Sequence, residues 1–196
     1  MARAGLTAQR LTVAAADLAD EVGFDAVTLA ALARGLGVKD ASLYSHVGGL
    51  KELRTRVTVL ALAELAELLA DAVAGRSGKD ALAAFATTYR RYALDHPGRY
   101  TAMQQELDPA TAAQSAAPRH GELVRAVLRG YRLGDPDQTD AARLVLATVY
   151  GFLGLEAMGG FSHHPRDLQA SFDRSVDAVD HALRDWATLG ASAPAR

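Results

Sequence analysis

Apolar residues in this chain recur three and four positions apart along almost its whole length, and runs that alternate apolar with polar residues are missing. That spacing lines one face of a helix and does not suit the two-residue repeat of a strand. Alanine, which costs least in a helix, fills 41 of the 196 positions. The chain is therefore expected to be all-α. Glycine and proline supply the punctuation. Thr7 predicts an N-cap, with a stripe of Leu11, Ala14, Ala15, Leu18 and Val22 ending at Gly23. Thr28 predicts a second cap, with Leu29, Leu32, Ala33 and Leu36 ending at Gly35–Gly37. A third short helix is predicted over Asp40–His46, broken by Gly48–Gly49.

A long helix follows from Leu50 to about Ala74, with Leu53, Val57, Leu60, Ala63 or Glu64, and Leu68 as its spine. Helices are predicted over Asp80–His96 and from Pro97 to about Glu106. Residues 108–118 are expected to form a polar, proline-bounded loop. A helix from Pro118 to about Leu133, a turn at Gly134-Asp135-Pro136, and two long helices over Gln138–Gly159 and Pro165–Leu189 complete the pattern. The tail from Gly190 is expected to fray. No repeat of fixed period appears.

Composition excludes several classes. Without cysteine there is no disulfide framework, thiolate metal site or cysteine nucleophile. Arg10, Asp17 and Asp20 interrupt the N-terminal segment, so it does not read as a signal peptide. No uncharged apolar run of about 18 residues exists that could span a membrane. The expected location is the cytoplasm.

Residues 7–54 carry the functional signal. Leu36-Gly37-Val38 makes a sharp corner between two short helices, with Gly37 free to take positive φ. In the next segment Leu43 and Val47 point inward. Lys39, Asp40, Ala41, Ser42, Tyr44, Ser45 and His46 are left facing out. This is the pattern of a helix-turn-helix, whose second helix enters the major groove.

The stretch from Gly23 to Arg54, GFDAVTLAALARGLGVKDASLYSHVGGLKELR, resembles the DNA-binding domain of the tetracycline-repressor (TetR/AcrR) family of transcriptional regulators. Gly23-Phe24, Thr28, Leu32-Ala33, Gly37-Val38, Leu43-Tyr44 and His46-Val47 match its pattern in order and spacing. The resemblance implies an N-terminal three-helix helix-turn-helix domain over residues 1–49. A helical effector-binding and dimerisation domain over residues 50–196 would follow. It also implies contacts from Tyr44 and His46 to the DNA backbone. The penultimate helix, with Tyr150-Gly151 and Leu155-Glu156, is similar to a subgroup with a glycine-centred segment there. That subgroup more often has His-Gly and an upstream tryptophan. The family places a phosphate-binding lysine where this chain has Leu50; Lys51 is the next residue.

The chemistry of each side chain agrees with that role. Thr28 puts a hydroxyl at a helix N-terminus, where N–H groups already favour phosphate. Lys39 can donate to guanine O6 or N7, Ser42 to either base type, and Ala41 can pack on a thymine methyl. Asp40 can accept from cytosine N4 or cap the helix, and the cap is the favoured reading. Residues 1–57 carry net charge +1 and the remainder −3. One copy therefore neutralises few phosphates, and affinity is expected to need two copies on one operator.

The two C-terminal helices carry apolar stripes, Ala142, Val145, Leu146, Val149, Leu153 and Ala157 on one and Leu168, Phe172, Ser175 or Val176, Val179, Ala182, Leu183 and Trp186 on the other. With Gly151 and Gly154 they suit a four-helix interface in a homodimer, and two-fold symmetry implies a palindromic double-stranded DNA operator. Phe85, Tyr89, Tyr92, Tyr100, Met103, Tyr131, Tyr150, Phe152 and Glu156 are the expected lining of a small-molecule effector site, with His120 near them. Gly48–Gly49 and the long helix from Leu50 supply the lever by which an effector would reset the reading heads. No cofactor is expected. His163-His164 invites a metal reading with Glu156 or Asp167, but adjacent histidines on a helix point about 100° apart, and a turn pair before Pro165 is preferred. G-x-S-x-G, H-E-x-x-H and P-loop patterns are missing. The expected function is a ligand-responsive repressor, not an enzyme. The alternative is a small all-α enzyme or ligand carrier with an incidental helical corner.

Overall fold

The computed structural model describes residues 6–189, and the predicted tail from Gly190 lies outside them. Ten α-helices and no strand occur among the described residues. They are α1 (Ala8–Val22), α2 (Leu29–Leu36), α3 (Leu50–Val73), α4 (Gly78–Asp95), α5 (Pro97–Ala102), α6 (Pro109–Gln114), α7 (Ala117–Leu128), α8 (Asp137–Ala157), α9 (Leu168–Arg184) and α10 (Trp186–Leu189). No helix among them is long and apolar enough to cross a membrane. The chain forms two compact units. One comprises residues up to Ala66 with Tyr92–Pro118, the other Glu67–Arg91 with the residues from Arg119 on.

Local chemistry sets the ends of α1 and α2. Thr7 Oγ1 accepts from the Arg10 N–H at 3.2 Å, and Thr28 Oγ1 from the Ala31 N–H at 3.1 Å. Each hydroxyl satisfies an orphan helix donor. Gly37 closes α2 at φ 65°, in the left-handed region.

The first unit's core is Leu11, Ala15, Ala16, Ala19, Phe24, Val27, Leu32, Ala33, Leu43, Val47, Leu53, Val57 and Ala102. On α1 the buried row is 11, 15 and 19, while Val22 is half exposed. On α3 it is Leu53, Val57, Ala61, Leu65 and Leu69; Leu68, expected inside, is 48% exposed. On α3 the row advances by four residues, about 40° of rotation at each step, which carries the buried face away from Leu68; Val22 is the last residue of α1.

Four element predictions are corrected. Residues 108–118 are not a loop throughout. Asp108 Oδ1 accepts from the Thr111 N–H at 3.0 Å and Pro109 starts α6, so Asp-Pro acts as a cap and first residue, not a breaker. The helix from Pro97 stops at Ala102. The last long helix starts at Leu168, capped by Asp167, and breaks at Asp185 before α10. The third helix is a 3-10 turn over Asp40–Ser42 with further turns to His46. Ser45 Oγ donates to the Ser42 carbonyl, and the His46 N–H goes to Leu43 O at 2.9 Å. The Ser42 carbonyl thus serves a side chain in place of the next α-turn.

Candidate nucleic-acid interface and effector site

Two buried anchors hold the reading segment. Leu43 and Val47 lie in the first unit's core at 0% and 2% exposure, and Val38 packs partly against it. Between and before these anchors Lys39, Asp40, Ala41, Ser42, Tyr44 and Ser45 are exposed, and His46 is half-buried. Tyr44 is 60% exposed, a large aromatic that the core does not claim. Its phenol O–H therefore stands in water next to Lys39 and Ser42 in sequence, ready for a phosphate oxygen. Asp40 is not the expected cap. It is the first residue of the 3-10 turn, one place too late to cap it, and no side chain caps that turn. Thr28 is exposed; its oxygen accepts from Ala31, which leaves the hydroxyl hydrogen to donate outward.

At the start of α3, Gly49 has φ 144° and the Glu52 carboxylate accepts from the Gly48 N–H at 2.6 Å. Arg56 pairs with the same carboxylate at 2.7 Å. Gly48 and Arg56 together hold the Glu52 carboxyl below the ordinary carboxylate range. Arg54 is committed to structure. Its guanidinium lies 5.6 Å over the Phe24 ring, and Nη2 donates to Asp25 O at 2.8 Å. This ties the turn before α2 to α3. Lys51 is exposed on the rim of a cavity of about 340 Å³ that Leu50, Arg54, Thr58 and Gln105 also line.

The expected effector residues fall into separate groups. In the second unit, Phe85 and Tyr89 of α4 meet Tyr150 of α8 and His120 of α7. The Tyr89 and Tyr150 hydroxyls are 2.7 Å apart, their rings stand edge to face, and Tyr89 Oη is 3.5 Å from His120 Nδ1. Burial pushes the Tyr150 phenol up, and the Tyr89 bond opposes this. Phe152 belongs to a second cluster with Phe161 and Phe172. Glu156 is fully engaged: its two oxygens accept from Arg90 Nε at 3.0 Å and Nη2 at 2.5 Å. Arg90 also donates to Gln169, and no periodicity in the sequence marks either partner. Tyr131 donates to the buried Asp180 at 2.8 Å. Tyr92, Tyr100 and Met103 belong to the first unit, where the Tyr92 hydroxyl donates to Glu64 at 2.9 Å. Burial first, then the Glu64 carboxylate, raises the Tyr92 phenol.

Comparison with known proteins agrees with the geometry. Residues 11–53 match the bacterial regulatory proteins of the tetR family, and residues 82–179 match the tetracyclin repressor-like C-terminal domain. The chain is 36% identical over 158 residues to the HTH-type transcriptional regulator Rv0681 of Mycobacterium tuberculosis, spanning 80% of this chain and 72% of that protein. Among solved structures, PfmR of Thermus thermophilus, a TetR family transcriptional regulator, is similar with a TM-score of 0.65 and 26% identity. The match covers 92% of this chain and 97% of that one. ActR of Streptomyces coelicolor has the same fold at a TM-score of 0.64 and 22% identity, over 93% and 98% of the two chains. The chain belongs to the tetR family of bacterial regulatory proteins: it is a DNA-binding transcriptional regulator of the helix-turn-helix type.

Proposed function

We propose that this regulator is a homodimeric, ligand-responsive repressor that occupies a palindromic operator and leaves it when a small molecule binds. The observation that carries the reading is the exposed run Lys39–Ser42 and Tyr44, presented after the left-handed Gly37 and pinned by buried Leu43 and Val47. Residues 1–49 act as the reading head and residues 50–196 as the effector-binding and dimerisation part. Lys39 and Ser42 read base edges, with Ala41 and Asp40 beside them. Thr28, Tyr44, His46 and Lys51 set the register on phosphates. Two heads related by symmetry meet half-sites separated by whole helical turns of about 34 Å. Such a protein acts in the cytoplasm, where operator DNA is.

The stripes expected to form the dimer face are largely used inside the second unit: Val145, Val149 and Leu153 of α8 and Phe172, Val176 and Leu183 of α9 are buried. The outward face of α8 has Ala147, Gly151 and Leu155, and Met158, just past its end, is 78% exposed. Its small and apolar residues support a helix-on-helix contact with a second copy.

The grouping of Tyr89, His120 and Tyr150 supports an effector site in the second unit, since it offers hydrogen-bonding tips within an apolar setting. ActR was solved in complex with (S)-DNPA, an instance of ligand binding on this fold. Effector binding then acts through α3 and the Gly48–Gly49 break on the spacing of the two heads. The test is retention of the upstream DNA of its own gene in a gel shift. The intact protein should retard it, and Lys39→Ala with Tyr44→Ala should not. Retardation by the double variant as strong as by the intact protein would overturn the assignment of the head. Selection from random DNA should return a palindrome; an asymmetric consensus would overturn the dimer.

A further inference from the structure

The turn between α8 and α9 encloses a cavity of about 250 Å³ that the regulator reading leaves unused. Phe152, Phe161 and Leu168 are partly buried around it, and exposed His163, His164 and Arg166 stand at its mouth. Of the residues expected at the effector site, only Phe152 lines it. The Phe152 ring is tilted against that of Phe161 at 4.8 Å and stands edge to face with that of Phe172, behind it, at 5.1 Å, so the floor is aromatic.

The turn does not need the side chains at the mouth. Its own backbone closes it: the Gly160 N–H donates to Leu155 O at 2.7 Å, Ser162 to Gly159 O at 3.0 Å and His164 to Phe161 O at 3.3 Å. Among the described residues Arg166 makes no ion pair, and no carboxylate lines the cavity. The nearby Asp167 is turned to α9, where its carboxylate accepts from the Ala170 N–H at 2.7 Å. The mouth thus combines an uncompensated guanidinium with two imidazoles, each of which has an N–H to donate even when neutral. Guanidinium matches a carboxylate in a planar two-point contact. The volume lies below the roughly 300–1,000 Å³ of drug-sized sites, which limits the ligand to a small one.

We propose that this cavity binds a small aromatic carboxylate, its ring against Phe152 and Phe161 and its charge on Arg166, His163 and His164. The inference concerns binding alone and does not depend on operator recognition, so either can fail without the other.

Calorimetric titration of the full chain with cinnamate, against the uncharged cinnamamide of the same shape, tests it. Cinnamate should bind saturably and the amide at least about tenfold more weakly. Arg166→Gln should weaken cinnamate about tenfold while leaving the melting temperature unchanged, because Arg166 is exposed and unpaired. Phe161→Ala should weaken both probes, and the ring nitrogen signals of His163 and His164 should move with cinnamate. Equal affinity for the two probes, or unaltered binding by Arg166→Gln, would overturn the carboxylate site. No binding of cinnamate would also overturn it.

Discussion

Gly98 of α5 lies so close to Ala19 of α1 that a Cβ built on it would overlap the Ala19 carbonyl and the Asp20 nitrogen. The approach brings the Asp20 carboxylate to the Arg99 N–H at 2.9 Å and to the Arg99 guanidinium, which also reaches Asp17 at 2.6 Å. The backbone of α1 cannot yield as a side chain tip would. Gly98→Ala is therefore expected to destabilise the protein by about 1–3 kcal/mol, an overpacking cost, and to lower Tm by roughly 2–4 °C per kcal/mol. Gly121→Ala is the control: in α7 its Cβ meets only the tip of Arg125 at 3.7 Å, and it should stabilise by about 0.5–1 kcal/mol. Thermal unfolding of both variants decides; equal melting points would refute the close approach.

The joint ahead of α3 should respond to acid. The folded state lowers the Glu52 pKa, first through the Gly48 N–H and then through Arg56. A lowered value means that the folded joint prefers the ionised carboxylate. Its contribution is present above the ordinary 4.5 and is lost as pH falls through the folded value. The Gly48 amide signal in a nuclear magnetic resonance titration should move with a midpoint below 4.5. Glu52→Gln should abolish that movement and speed exchange of the Gly48 amide. A midpoint at or above the ordinary value would remove the cap.

These contacts show which parts of the molecule were readable in advance. Thr7 with Gly23 and Thr28 with Gly37 were legible because capping is decided within a few residues. So was the inward direction of Leu43 and Val47. The 3-10 turn was not, because the outcome rests on competition between the Ser45 hydroxyl and a backbone N–H for one carbonyl. Pairs such as Arg90 with Glu156, 66 residues apart, leave no periodic trace. The separation of the expected effector residues into different groups was hidden for the same reason: each aromatic sits at helical spacing, and spacing does not say which helix it will meet.

Arg90 and Glu156 should behave as a unit. Their side chains are only 10% and 12% exposed, and Gln169 and the Phe172 ring complete the surroundings of the guanidinium. Arg90→Met leaves the Glu156 carboxylate largely buried without its partner and should cost about 3–5 kcal/mol. Replacing both, Arg90→Met with Glu156→Leu, removes the stranded charge and should recover most of that loss. Urea unfolding of the singles and the double measures the coupling. A double variant whose loss equals the sum of the two singles would show that the pair is not coupled.

Alkali should unfold the protein partly through its buried phenols. Burial first, and the Glu64 carboxylate next, raise the Tyr92 pKa above the ordinary 10.0; burial and Asp180 raise Tyr131. A raised value means that the native state keeps a proton which the unfolded chain releases. The stability from each phenol is therefore complete below 10.0 and declines as pH rises towards the folded value. For Tyr92, 3% exposed, the decline approaches about 1.4 kcal/mol per pH unit above that point. Tyr92→Phe removes this proton and should flatten the alkaline limb by that slope, although it costs some stability at neutral pH by taking the phenol hydrogen bond from Glu64, which keeps its pairing with Arg99 at 3.4 Å. Urea unfolding at several pH values, with phenolate absorbance followed in parallel, makes the comparison. An alkaline slope identical in the variant and the parent would show that Tyr92 ionises equally well in the folded protein.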